Sequence, residues 1–156
     1  MKRVSLLLPF LILFLTVLGC DPGIRFRQKA ESGNDPKDSV QKFDGFEIAI
    51  GSIGGLIGQR SVVASGCIIN RRASQSKFEI GDPRLKTAKG EFYGMLDNKV
   101  GNDTNDVRPG DCQPFSIQFK FDKELDKVLT KPVSIEMKIK NGSSVSDVSI
   151  PMEQEY

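Results

Sequence analysis

The chain has 156 residues with neither histidine nor tryptophan, and its 22 lysines and arginines face 20 aspartates and glutamates. Without imidazole, histidine-dependent acid–base catalysis, serine and cysteine triads and most zinc or copper sites drop out. A formal net charge of +2 with no basic stripe gives no reason to expect a nucleic-acid partner.

Lys2 and Arg3 precede an apolar stretch from Val4 to Leu18, with small Gly19 at its end. That is the three-part order of an export signal. The stretch is broken by Pro9 and is followed at once by Asp21-Pro22-Gly23, so it falls short of the roughly 20 apolar residues that cross a hydrocarbon core. Removal of residues 1–19 is the expected outcome. Loss of Lys2 and Arg3 then leaves as many cationic as anionic side chains.

Val17-Leu18-Gly19-Cys20 resembles the lipobox of bacterial lipoproteins, with Leu18 standing where such boxes usually carry a small residue. The resemblance implies a diacylglycerol on the Cys20 thiol, cleavage in front of it and acylation of the new amino group. The protein is then held on the membrane by palmitate-like chains, in the bacterial cell envelope, facing the periplasm or the exterior. Each buried CH₂ contributes about 0.8 kcal/mol to such an anchor. Asp21 resembles the retention signal of inner-membrane lipoproteins. The competing readings are a secretory signal with an incidental cysteine and an uncleaved anchor.

If Cys20 carries lipid, Cys67 and Cys112 remain as one pair, and an oxidising envelope favours their joining. Closing the intervening loop contributes at most roughly 4 kcal/mol in the chain-entropy model. Two free buried thiols are the alternative.

Residues 20–45 are polar and charged, with Pro22, Gly23, Gly33 and Pro36 and few apolar side chains. They read as a lipidated cysteine followed by a flexible linker, which as a coil holds the domain on the order of 25 to 30 Å from the bilayer. Arg25, Arg27 and Lys29 suit either anionic head groups or a solvated tether. The folded unit is expected over 46–152, with 153–156 as a tail.

Within that unit Phe46, Ile48 and Ile50 alternate with Glu47 and Ala49, and Gly51 to Gly58 then interrupts. Gly51, Gly54, Gly55 and Gly58 lack the lysine and spacing of a phosphate loop. A hairpin loop is expected instead, with Ile53, Leu56 and Ile57 as an exposed partner-binding tip. Val62 to Ile69 reads as a central strand. Phe78 and Ile80 stop at Gly81-Asp82-Pro83, and Phe92-Tyr93 marks a short strand.

Asp97, Asp103 and Asp106 lie in an Asn- and Asp-rich run whose oxygens suit calcium, although the spacing is not that of an EF-hand and an ordinary Asx-rich turn is the favoured reading. Beyond Arg108-Pro109-Gly110-Asp111, Phe115, Ile117, Phe119 and Phe121 alternate with polar residues, the period-two signature of a half-buried strand. Leu125, Val128 and Leu129 fall at helical spacing. Val133, Ile135, Met137 and Ile139 form the next strand. Asn141-Gly142 signals a hairpin, expected to be slightly longer than two residues, into a last strand carrying Val148, Ile150 and Met152.

About seven short strands predict an all-β domain, a small two-sheet antiparallel sandwich, with a partly open barrel as the alternative. Ile68-Ile69-Asn70, Asp82-Pro83-Arg84-Leu85, Gly90-Glu91-Phe92-Tyr93 and the Val107 to Gly110 turn resemble the immunoglobulin-like domains of unknown function carried by many bacterial lipoproteins. That resemblance implies an extracytoplasmic sandwich used in binding or assembly, and it transfers no catalytic residue.

Carboxylate pairs and a Ser-Lys dyad need no histidine, yet Asp and Glu are scattered along turns and outward strand positions. The expectation is therefore a membrane-anchored, non-enzymatic binding or assembly module without a cofactor, acting on a protein or other envelope partner. The alternative is a Ca²⁺ or small-ligand binder using the acidic loop.

Overall fold

The computed structural model describes residues 23–28, 40–97 and 106–154. The signal, Cys20, Asp21, Lys29 and Asp103 lie outside the described residues.

Among the described residues nine strands and one helical turn follow in chain order: β1 (Gly23–Gln28), β2 (Val40–Phe43), β3 (Phe46–Leu56), β4 (Ser61–Asn70), β5 (Glu79–Thr87), β6 (Gly90–Leu96), β7 (Cys112–Lys120), α1 (Leu125–Val128), β8 (Val133–Asn141) and β9 (Ser144–Gln154). Every pairing is antiparallel. The strand order is β1-β9-β8-β5-β6-β7-β4-β3, and β1 pairs again with β3. This closes an eight-strand barrel, with β2 added along the first half of β3.

The chain is thus all-β, as its alternation predicts, but it is a closed barrel and not a two-sheet sandwich. The element that decides this is β1. Its Gly23 to Phe26 pair with Leu56 to Ile53 of β3, and its Phe26 to Gln28 pair with Gln154 to Met152 of β9. One short strand therefore joins the two edges that a sandwich would leave open, and closure removes them.

The 20–45 linker reading is corrected accordingly: Gly23–Gln28 and Val40–Phe43 are strands, and the folded unit begins well before residue 46. Glu153 and Gln154, expected in the tail, belong to β9.

Inward side chains fill the barrel. Val62, Ala64 and Ile68 of β4 lie beside Phe115, Ile117 and Phe119 of β7, while Val133, Ile135, Met137 and Ile139 of β8 lie beside Val148, Ile150 and Met152 of β9. All are buried, as expected for a ring of eight strands whose bore is about one layer of side chains wide. Gly66 makes room for the Phe115 ring: a Cβ there would lie 2.5 Å from its Cζ and 2.6 Å from the Ala49 carbonyl.

Each end is closed. Phe43 stacks on Phe46 at 5.1 Å, and Phe46 meets Phe78 at 5.6 Å. At the opposite end α1 sets Leu125 and Val128 into the barrel mouth, tied down by Leu125 N–H to the Gln59 carbonyl at 2.9 Å and Phe121 N–H to the Arg60 carbonyl at 2.8 Å.

Two bulges explain where alternation misled. Between Ile50 and Ile53 the register on β4 shifts, so Ile48, Ile50 and Ile53 all point inward and β3 continues to Leu56 through what reads as a glycine loop. Between Gly81 and Arg84 the register on β8 shifts, and Asp82 takes φ 51°. Gly81-Asp82-Pro83 is a bulge within one continuous strand, a position where proline's missing N–H is tolerated. The β8–β9 hairpin is tighter than expected: Asn141 pairs with Ser144, leaving Gly142 and Ser143 as the turn, with Gly142 at φ 60°.

Charged side chains face outward on the same strands, including Lys138 and Lys140 on β8 and Asp147 on β9. Charges on the outward face are costly against lipid chains.

Candidate functional site on the barrel wall

Cys67 and Cys112 form a disulfide with Cα atoms 5.7 Å apart. Cys67 lies opposite Pro114, and Cys112 opposite Ile69, so the bridge runs diagonally between neighbouring strands on the outer face. Cys112 is exposed.

The expected tip divides. Ile53 is fully buried, because the β3 bulge turns it into the core, and it is a core residue and not a contact residue. Leu56 and Ile57 are 48% and 41% exposed at the β3–β4 hairpin. Gln59 pins this turn, its N–H reaching the Leu56 carbonyl at 3.1 Å and its side-chain oxygen accepting the Leu56 N–H at 3.2 Å.

A second apolar surface was not anticipated. Val63 on β4 and Met95 on β6 both stand opposite Gln118 of β7, which places the three in one lateral row on the outer wall. Tyr93, two residues from Met95, shares its face. Tyr93 is 71%, Met95 53% and Val63 45% exposed. The sequence signal was present: Phe92-Tyr93-Gly94-Met95-Leu96 is apolar on both faces of a strand that can bury only one. An open depression lined by Gly23, Arg25, Gly54, Gly55, Leu56, Gln59 and Val63 continues this surface toward the hairpin.

Charges border the row on its β5 side. Arg84, opposite Tyr93, lies 3.5 Å from Glu91, and Lys86 reaches Glu91 at 3.3 Å and Glu136 at 2.9 Å. Hydrogen bonding to Glu136, then to Glu91, raises the Lys86 pKa above its ordinary value. Apolar side chains edged by paired charges make a surface suited to a protein partner.

The acidic loop is not assembled from described residues. Asp97 N–H donates to the Ser116 carbonyl at 2.9 Å, Asp106 is exposed beside Val107, and Asp103 lies outside the described residues. Among the described residues, no three His, Cys, Asp or Glu side chains are grouped to hold a metal. The nearby structural hub is Asn70, fully buried: its side-chain amide donates to the carbonyls of Ser74 at 2.9 Å and Val107 at 2.7 Å, and its oxygen accepts Arg72 N–H at 2.9 Å.

No protein-family model matches the chain, and no curated protein sequence matches it. Among solved structures, the fold is similar to that of a functionally unknown protein from Listeria monocytogenes EGD-e, with a TM-score of 0.52 and 14% identity over 81% of this chain and 86% of that one. At that identity the likeness speaks to the fold alone.

Proposed function

We propose that this protein is a lipid-anchored module of the bacterial cell envelope that binds a protein partner through the outer wall of its barrel. The observation that carries the binding role is the row in which exposed Val63 and Met95 flank half-buried Gln118, extended by exposed Tyr93. Large apolar side chains held on a rigid sheet offer contact area at little entropic cost. The barrel bore is occupied by its own aromatic and aliphatic side chains, so the wall is the more favourable place for recognition. Support for anchoring is the Val17 to Cys20 segment. The reading involves no catalysis: the charged side chains at this face are engaged in ion pairs on open surface.

A photo-crosslinking amino acid placed at position 95 in cells tests the binding role. The expected result is a discrete adduct, reproduced from position 93 and absent from position 145, where Val145 is exposed on another part of the barrel. Equal adduct patterns from 95 and 145, or none, would overturn it. Metabolic palmitate labelling tests the anchor separately, with label on the wild type and none on Cys20→Ser.

A further inference from the structure

We infer that the barrel end bearing the β3–β4 hairpin rests directly on the bilayer, with Leu56 and Ile57 entering the interface; this builds on the lipid-anchored reading. The carrying observation is the pairing of Gly23 with Leu56. Cys20 precedes Gly23 by only Asp21 and Pro22. At no more than about 3.6 Å per residue, that stretch spans roughly 11 Å when fully extended. A lipid on Cys20 therefore cannot hold the domain at the distance a long flexible linker would allow. The strand that closes the barrel is also its mooring, and the hairpin beside that strand is brought to the membrane surface.

The chemistry of this end agrees with that placement. Leu56 and Ile57 are large apolar side chains, half exposed at the tip of a hairpin pinned by Gln59. Arg25 and Arg60 flank them, and Lys120 and Lys123 lie at the same end; all four are exposed. Among the described residues the carboxylates there are Asp122, Glu124 and Asp126, of which Glu124 is held by Lys127 at 2.6 Å, and Asp21 in the tether adds a fourth against Arg25, Arg60, Lys120, Lys123 and Lys127. The balance is cationic, and cations near an anionic leaflet are attracted within a Debye length. Apolar tips ringed by cations insert into the head-group region to a depth of roughly 5 to 10 Å.

The absence of tryptophan from the chain makes the test clean. Full-length lipidated protein carrying Ile57→Trp, Leu56→Trp or, at the opposite end of the barrel, Val145→Trp is purified from membranes. It is reconstituted into vesicles of phosphatidylcholine with a minority of phosphatidylglycerol. Brominated lipid is expected to quench the indole at positions 56 and 57 by about twofold or more, while aqueous iodide quenches only the one at 145. Equal iodide access at 57 and 145, in protein that floats with the vesicles, overturns the docking and leaves the anchor standing. Failure to float, with no palmitate on Cys20, removes the anchor and the docking with it. Protection of position 57 in native membranes but not in pure lipid assigns the tip to a protein partner and also overturns the inference.

Discussion

The side-chain oxygen of Gln28 accepts the backbone N–H of Ile50 at 2.6 Å, while its amide points to the Ile48 carbonyl at 3.4 Å. Along this edge of β3, β2 ends its pairing at Ala49 and β1 begins its own at Ile53. Gln28 is 2% exposed and occupies that gap as a stand-in for a strand backbone. Gln28→Leu keeps the volume but leaves the Ile50 N–H without its acceptor, which costs about 1–3 kcal/mol. Denaturant unfolding of the variant should show a lowered midpoint. Removal of Gly23–Gln28 should do far more, opening the ring and abolishing a cooperative transition. A linker would predict no change in either case.

Asn70 ties the end of β4 to the Ser74 segment and to Val107, which the isolated Ser76–Val107 bridge also joins. Its side chain spans the carbonyls of Ser74 and Val107 and the N–H of Arg72, and its backbone N–H and C=O meet Asp111 and Gly110. Asn70→Ala strands several buried polar groups at once, and a loss of about 3 kcal/mol is expected from the cost of such groups. Asn70→Asp should be no better, because a carboxylate would face two carbonyls. Thermal melts of the two variants check this, and a wild-type melting temperature in Asn70→Asp would refute the hub.

Much of the barrel was legible because half-buried strands announce themselves by period two. Phe115 to Phe121 and Val133 to Ile139 needed no tertiary knowledge, and the Cys67–Cys112 pairing was expected on the premise that Cys20 is set aside for lipid. Closure was not legible. In Gly23–Gln28 only Ile24, Phe26 and Gln28 face away from the exposed side of the strand, and a buried glutamine reads as polar chain. The glycines after Ile50 concealed a bulge that shifts the inward phase, so Ile53 read as a tip residue when it is core. Recognition fared similarly. Leu56 and Ile57 were visible as unplaced apolar residues, but the Val63, Gln118 and Met95 row exists only once β4, β7 and β6 are in register.

Gly66 shows how tightly that register is held. Gly66→Ala would place a methyl against both the Phe115 ring and the Ala49 carbonyl. The ring can turn, but the carbonyl belongs to a paired strand and cannot easily move. Overpacking of this kind costs about 1–3 kcal/mol. Gly81→Ala, where the nearest atoms are 3.9 Å away, is the matched control and should leave the unfolding midpoint close to wild type.

The Cys67–Cys112 bridge closes a loop with a sequence separation of 45. Fixing its ends in the unfolded chain stabilises the barrel by at most about 4 kcal/mol in the chain-entropy model. Because the bridge lies on the outer wall, a reductant reaches it without unfolding the core. Dithiothreitol should lower the melting temperature of the wild type and leave a Cys67→Ala, Cys112→Ala double variant unchanged. Similar shifts in both would show that the reductant acts elsewhere.

Lys86 supplies a pH signature for the charged border of the wall. Hydrogen bonds to Glu136 and Glu91 raise its pKa in the folded state, so its contribution is complete below the ordinary lysine pKa of about 10.4 and is lost as pH rises through the folded value. Glu124 behaves oppositely. Its pKa is lowered by the hydrogen bond from Lys127, so its contribution is present above the ordinary carboxylate range and fades as pH falls through the folded value. Both groups are exposed, and water and salt keep the effects small. Lys86→Met should therefore be slightly less stable than wild type near neutrality and converge with it at strongly alkaline pH, whereas Glu124→Gln should differ near neutrality and converge in acid. Unfolding midpoints measured across pH separate the two limbs. An alkaline limb unchanged by Lys86→Met would mean that the Glu136 and Glu91 contacts do not persist in solution.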